Sequence, residues 1–245
     1  MKAMIFAAGL GTRLRPLTDN KPKALVEVAG KPMLERVILR LKRSGVDEIV
    51  VNVHHFGQQI IDFLYANDNF GVTIHVSDER EELLDTGGGI LKARKWLDGG
   101  EPVIVHNADI LTDFDLDGMV CQHVASEAVA TLLVAERDTA RYFVFNDAMR
   151  LHGWTNIKTG EVKPHELTLS DELLLRAFGG VHVISPKIFD ALEYYSEESK
   201  FSITQFYIDK CRDLKVMGYT PQGDYQWHDI GKLESIMVAE KMFHD

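Results

Sequence analysis

The chain has 245 residues, 45% hydrophobic and 26% charged, the proportions of an ordinary globular protein, and no apolar run approaches the roughly 18 residues that a membrane span needs. A formal charge of -10 argues against a nucleic-acid surface, since duplex affinity comes from neutralising phosphates with Lys and Arg, and two distant cysteines, Cys121 and Cys211, support neither a disulfide framework nor a zinc site. Met1 to Phe6 runs at once into Gly9 and Gly11 without the length or cleavage pattern of a signal peptide, so a cytoplasmic protein free of membrane is expected.

Lys2 to Ala7 reads as a short buried strand broken by glycines. Pro32 then stands where a first-turn proline belongs, ahead of Leu34, Val37, Ile38 and Leu41 at helical spacing, with Gly45 as the stop. Glu48 to Val53 predicts a second strand, Gln58 to Tyr65 a helix, and Val72 to Val76 an alternating strand. Thr86-Gly87-Gly88-Gly89 opens another helix through Trp96, and Pro102 to His106 predicts the next buried strand. Further strands are expected at Ala128 to Ala135, Tyr142 to Phe145, Ala177 to Ile184 and Leu214 to Tyr219, with helices at Ser202 to Arg212 and Lys232 to Phe243. Strands and helices alternate and nothing resembles a linker, so the fold expected is one domain, a three-layer α/β/α sandwich with a mostly parallel, Rossmann-like mixed sheet.

Arg13, Arg15, Lys21, Lys23 and Lys31 make a basic island in an otherwise acidic chain. It coincides with the glycines of Ala7-Ala8-Gly9-Leu10-Gly11-Thr12-Arg13, where backbone N–H groups can approach an anion closely. A polyphosphate is the ligand such a loop suits, although a lone Gly-x-Gly is also a common turn. Asp109, directly after a strand, and Asp229, in Trp227-His228-Asp229-Ile230-Gly231, each read singly as a loop residue or a helix cap. His54 and His55 look like a metal pair, but neighbouring strand residues face opposite ways.

The whole string Ala-Ala-Gly-x-Gly-Thr-Arg-Leu-x-Pro-Leu-Thr, continued by Lys21-Pro22-Lys23, resembles the signature of the sugar-1-phosphate nucleotidyltransferase family. The likeness extends over nearly the whole chain. It implies a nucleoside triphosphate and a sugar 1-phosphate as partners, magnesium as cofactor, a nucleotide half over about 1–110 and a sugar half over about 111–245. Arg13 would bind the outgoing β- and γ-phosphates, and Lys23 would bridge the α-phosphate to the incoming sugar phosphate. Ala8, Gly9, Leu10, Gly11 and Thr12 would join them around the nucleotide, Thr86, Gly87 and Gly88 would pack against its base, and Asp109 and Asp229 would hold the metal. Asn107, Arg141, Phe178 and Gly180 would line the sugar pocket, and His228 could orient Asp229.

Leu84-Asp85-Thr86-Gly87-Gly88-Gly89-Ile90 and Gly153-Trp154-Thr155-Asn156 look most like the N-acetylmuramate 1-phosphate uridylyltransferase branch, with guanylyl- and thymidylyltransferases as the alternatives. Many relatives carry Glu-Lys-Pro where this chain has Trp154-Thr155-Asn156, or Glu161-Val162-Lys163-Pro164 after a shift. Arg141 would then face the acid of a lactyl ether. Two other classes compete. A non-catalytic nucleotide-binding homologue would ordinarily have lost Arg13, Lys23 or an aspartate, and a dinucleotide-dependent oxidoreductase would need the third glycine that is missing here.

Overall fold

The computed structural model describes residues 1–241. The chain runs β1 (Lys2–Phe6), β2 (Glu27–Val28), β3 (Lys31–Pro32), α1 (Met33–Arg43), β4 (Glu48–Val53), α2 (Gly57–Ala66), β5 (Thr73–Asp78) and α3 (Asp85–Leu97). It continues through β6 (Val103–Asn107), β7 (Ile110–Thr112), α4 (Leu116–Ser126), β8 (Ala130–Ala135), β9 (Arg141–Phe145), β10 (Leu151–Asn156) and β11 (Glu161–Lys163). The last elements are β12 (Leu174–Ile184), α5 (Ile188–Glu193), α6 (Ile203–Lys210), β13 (Val216–Tyr219), β14 (Trp227–Asp229) and α7 (Leu233–Glu240). The end of the helix expected at Lys232 to Phe243 lies outside the described residues.

Ten strands form one mixed sheet in the order β11-β10-β9-β12-β6-β1-β4-β5, with β8 and β13 branching from β12. The first half is parallel: β1 pairs with both β4 and β6, and β4 with β5. Antiparallel pairing begins at β12, which lies against β6 along Val181 to Ile184 and against β9 along Leu174 to Arg176. The two stretches are joined by a bulge between Phe178 and His182, seen as a register shift against β8. Glycines are required there. A Cβ on Gly179 would sit 2.7 Å from the Leu133 side chain, and Gly180, at φ +73°, faces Ile110 and the Asn107 amide.

Helices cover both faces. On one, Leu34, Val37, Ile38 and Leu41 of α1, Ile60 and Leu64 of α2, and Leu116 and Met119 of α4 pack on Ala3, Ile5, Ile49 and Val51. On the other, Ile90, Ala93 and Leu97 of α3, Phe189 of α5 and Phe206 and Tyr207 of α6 pack on Met4, Val50, Val103 and Val105. Alternate residues of β1 and β4 thus feed opposite layers, each buried aliphatic side chain contributing about 1.5–3 kcal/mol. A third, smaller cluster joins Leu14, Val26 and Val28 of the N-terminal loop to Leu111, Ile230 and Ile236, tying the two ends of the chain together. Among the described residues no helix is long and apolar enough to cross a membrane.

Candidate active site

β1 and β6, side by side and parallel, both end at the same rim of the sheet, the position where open α/β sheets bind ligands. A cavity of about 460 Å³ opens there, lined by Ala8, Gly9, Lys23, Thr86, Asn107 and Asp109 among others. A larger one, about 910 Å³, lies over the antiparallel extension and is lined by Arg13, Arg137, Arg141, Phe178, Trp227 and Asp229 among others.

The glycine-rich loop is fixed by a residue that the sequence does not advertise. Asn52, buried in β4, accepts hydrogen bonds from the N–H groups of Ala7 (2.7 Å) and Ala8 (3.3 Å). Its own amide donates to Glu79 (2.9 Å), whose second oxygen accepts from the N–H of Leu84 (3.2 Å). Glu79 is fully buried. Gly11 adopts φ +66°, and a Cβ there would press on Thr18 and Lys23. Among the described residues the N–H groups of Gly9, Leu10 and Gly11 enter no hydrogen bond. Leu10, Gly11 and Thr12, expected at the nucleotide, line neither cavity.

The second glycine run departs further from expectation. Thr86 lines the smaller cavity, but Gly87 and Gly88 are buried under the segment 196–201. A Cβ on Gly87 would lie 2.3 Å from the Phe201 ring, and one on Gly88 would lie 2.0 Å from the Ser199 carbonyl oxygen. The flat ring that Gly87 admits is therefore the protein's own Phe201. Both N–H groups donate to the Phe201 carbonyl, at 2.9 and 3.3 Å. Gly180 likewise serves the bulge in β12 and lines neither cavity.

Two aspartates 120 positions apart meet through a short ribbon. β14 pairs antiparallel with β7, setting Asp229 opposite Ile110, and the N–H of Ile230 donates to the Asp109 carbonyl oxygen at 2.8 Å. Lys23 forms an ion pair with the Asp109 carboxylate. Arg13 lies across Gly231, where a Cβ would come within 2.9 Å of its guanidinium. Burial pushes the Asp229 carboxyl above the ordinary carboxylate range, Asp109 pushes it further, and Lys23, Arg13 and Arg137 pull it back. Asp229 Oδ1 is buried and has no hydrogen-bond partner. A pair of converging carboxylates with an orphaned oxygen fits a hard divalent cation, which takes oxygen ligands. Burial pushes the His228 imidazole below its ordinary range, and Asp113 pulls it back.

The larger cavity has aromatic walls. Trp154 and Phe143 are cross-strand partners in β10 and β9, and Phe143 and Phe178 meet edge to face at 5.8 Å. The Trp154 position pairs with Lys163 of β11, so both stretches considered for the missing Glu-Lys-Pro element belong to one hairpin. Arg141 and Phe178 line this cavity, whereas Asn107, grouped with them from the sequence, stands in the smaller one. Arg137 was not singled out, and nothing in its surroundings, Glu136-Arg137-Asp138, sets it apart from a solvated loop residue.

Residues 2–245 match the nucleotidyl transferase family. The N-acetylmuramate alpha-1-phosphate uridylyltransferase of Neisseria meningitidis is 35% identical over 99% of this chain and 98% of its own length. The enzyme of the same description from Caulobacter vibrioides is 34% identical over 97% of this chain and 95% of its own. Among solved structures, HddC from Yersinia pseudotuberculosis complexed with GMP-PN superposes with a TM-score of 0.78 at 22% identity, over 99% of both chains, a likeness of fold. The paired carboxylates, the basic loop and the match along almost its whole length agree: the chain belongs to the nucleotidyl transferase family.

Proposed function

We propose that this enzyme transfers a nucleoside monophosphate from a nucleoside triphosphate to a sugar 1-phosphate with release of pyrophosphate, and that UTP and N-acetylmuramate 1-phosphate are its preferred pair. The observation that carries the reading is the meeting of Asp109, Asp229, Lys23 and Arg13 between two cavities, one at the ends of the parallel strands and one walled by aromatics. The smaller cavity suits the nucleotide and the larger the sugar.

In this reaction an oxygen of the sugar phosphate forms a bond to the α-phosphorus while the bond from that phosphorus to the bridging oxygen breaks, and the leaving electrons stay on pyrophosphate. The nucleophile is already ionised at neutral pH, so no general base is needed. Alignment and charge neutralisation carry the catalysis. Lys23 has three donors, one engaged by Asp109, and the others are available to the α-phosphate and the incoming phosphate. Arg13, exposed beside Asp229, takes the outgoing phosphates, and the unengaged N–H of Gly9, in the wall of the smaller cavity, adds a neutral donor. Asp109 and Asp229 would hold magnesium, which when bound supplies charge neutralisation at the phosphates.

The muramate reading is supported by the Neisseria and Caulobacter relatives and by the Asp85-to-Gly89 and Gly153-to-Asn156 stretches. It places the enzyme in the cytoplasmic metabolism of a cell-wall sugar. The test is pyrophosphate release across the common nucleoside triphosphates and a panel of sugar 1-phosphates. UTP with N-acetylmuramate 1-phosphate is expected to give the highest kcat/KM. A preference for GTP with mannose 1-phosphate would overturn the substrate assignment and keep the reaction, and no release with any pair would overturn both.

A further inference from the structure

Besides Arg13, the larger cavity holds two arginines of different standing. Arg141 is exposed, and among the described residues its side chain makes no ion pair or hydrogen bond. An anion drawn to it must first immobilise a long, free side chain. Arg137 is partly buried and already fixed. Its guanidinium lies 3.4 Å over the centre of the Trp227 ring, and Nη2 donates to the Phe178 carbonyl oxygen at 2.7 Å. Trp227 is pinned in turn, its indole N–H donating to the Gly179 carbonyl at 2.8 Å. The stack therefore clamps the bulge of β12 to β14.

The clamp leaves the charge unanswered. Both groups that face the Arg137 donors at hydrogen-bond distance are neutral carbonyls, Phe178 and, at 3.5 Å, Ala177. Its Nε is buried without a partner, and burial disfavours its charged form. Tyr225 and, after it, the Asp229 carboxylate favour its charge, and the proposed function commits Asp229 to the metal. Asp138, beside it on the cavity wall, is exposed and forms no ion pair with it. A guanidinium that is pre-set, partly dried and without a counter-ion is suited to bind an oxyanion, because its ordering cost is already met within the fold.

We propose that Arg137 is a binding residue for the acceptor sugar, holding one of its oxyanions. This rests on the larger cavity being the sugar site. The acceptor offers that chemistry from two sources, its 1-phosphate and, in muramate, the carboxylate of the lactyl ether.

The experiment is steady-state kinetics of the parent, Arg137→Gln, Arg137→Lys and Arg141→Ala, with N-acetylmuramate 1-phosphate and N-acetylglucosamine 1-phosphate at saturating UTP, and then with UTP varied. Arg137→Gln is expected to raise the KM for the sugar at least about tenfold, the scale of a lost charge-assisted contact, with the KM for UTP unchanged. Arg137→Lys should recover part of the loss, and Arg141→Ala should cost less than Arg137→Gln. A loss confined to the muramate substrate identifies the carboxylate as the anion, and an equal loss on both sugars identifies the phosphate. A fall in kcat with both sugar KM values unchanged, or a KM rise for UTP of the same size, would overturn the proposal and leave Arg137 as a clamp for Trp227. A melting temperature for Arg137→Gln close to the parent's separates binding from folding. If the parent releases pyrophosphate with neither sugar, the proposed substrates fail before the variants are compared.

Discussion

Replacing Gly88 by Ala distinguishes a glycine that serves a ligand from one that serves packing. The added Cβ would lie 2.0 Å from the Ser199 carbonyl oxygen and 3.1 Å from the Leu84 Cβ, and the first of these is backbone that cannot swing aside. The segment 196–201 must then lift from the start of α3. Overpacking of this kind costs about 1–3 kcal/mol, and weakening the bonds from the Gly87 and Gly88 N–H groups to the Phe201 carbonyl adds about 1 kcal/mol each. Alanine returns about 1 kcal/mol of helix propensity. The net is a destabilisation of about 2–4 kcal/mol, or a fall in Tm of about 5–15 °C for a chain of this size. Gly9→Ala is the contrasting case, because nothing lies within 4 Å of a Cβ there and the residue faces the smaller cavity. It should keep its Tm and raise the KM for the nucleotide. Urea and thermal unfolding alongside kinetics test the pair, and a Gly88→Ala protein of parental stability with a raised nucleotide KM would refute the packing account.

Arg13→Ala and Lys23→Ala should each lower kcat by about 100-fold or more, since the proposed function has both neutralising charge at the phosphates, while circular dichroism stays that of the parent. Either variant releasing pyrophosphate at the parental rate would be removed from the mechanism. Asp229→Asn should abolish turnover yet stabilise the metal-free protein. The Asp229 carboxyl has its folded-state pKa raised, so the folded state holds a proton that the unfolded state has released, and stability from this group declines as pH rises from the ordinary carboxylate pKa to the raised one. The Asn variant lacks that decline, and magnesium should raise the Tm of the parent but not of the variant. Equal melting curves with chelator from the ordinary carboxylate range up to neutral pH would count against the raised carboxyl of the buried Asp229.

The order of strands and helices was legible because period-2 and period-3.6 patterns, with Pro32 and Gly45 as punctuation, are local properties. Ser44 ends α1 and Gly45 follows it at φ +77°. α4 escaped notice because Gly118 interrupts a weak apolar stripe, and only Asp115 capping the Gly118 N–H at 2.9 Å marks its start. β7, β14 and the hairpin of β10 and β11 are too short or too polar to carry a pattern. The resemblance, not periodicity, brought Asp109 and Asp229 under one heading. What joins them is a three-residue ribbon between segments more than a hundred positions apart, which no local rule encodes.

The glycine runs show how a correct motif can carry a physically different meaning. The resemblance makes Thr86, Gly87 and Gly88 a bed for a base, yet an added Cβ on each of the three glycines Gly87, Gly88 and Gly89 meets a different part of the protein: the Phe201 ring, the Ser199 carbonyl and, at 3.0 Å, the Glu79 carboxylate. The last of these connects the two glycine-rich loops. Glu79 can accept from both the Asn52 amide and the Leu84 N–H only because Gly89 leaves room beside it, and Asn52 can hold the Ala7 and Ala8 N–H groups only because Glu79 orients its amide. Removing either partner would strand a buried polar group, at a cost of about 1–3 kcal/mol. The glycine-rich loop after β1 and the helix start beside Thr86 are therefore one preorganised unit, held together by the single Asn in the apolar run Ile49-Val50-Val51-Asn52-Val53.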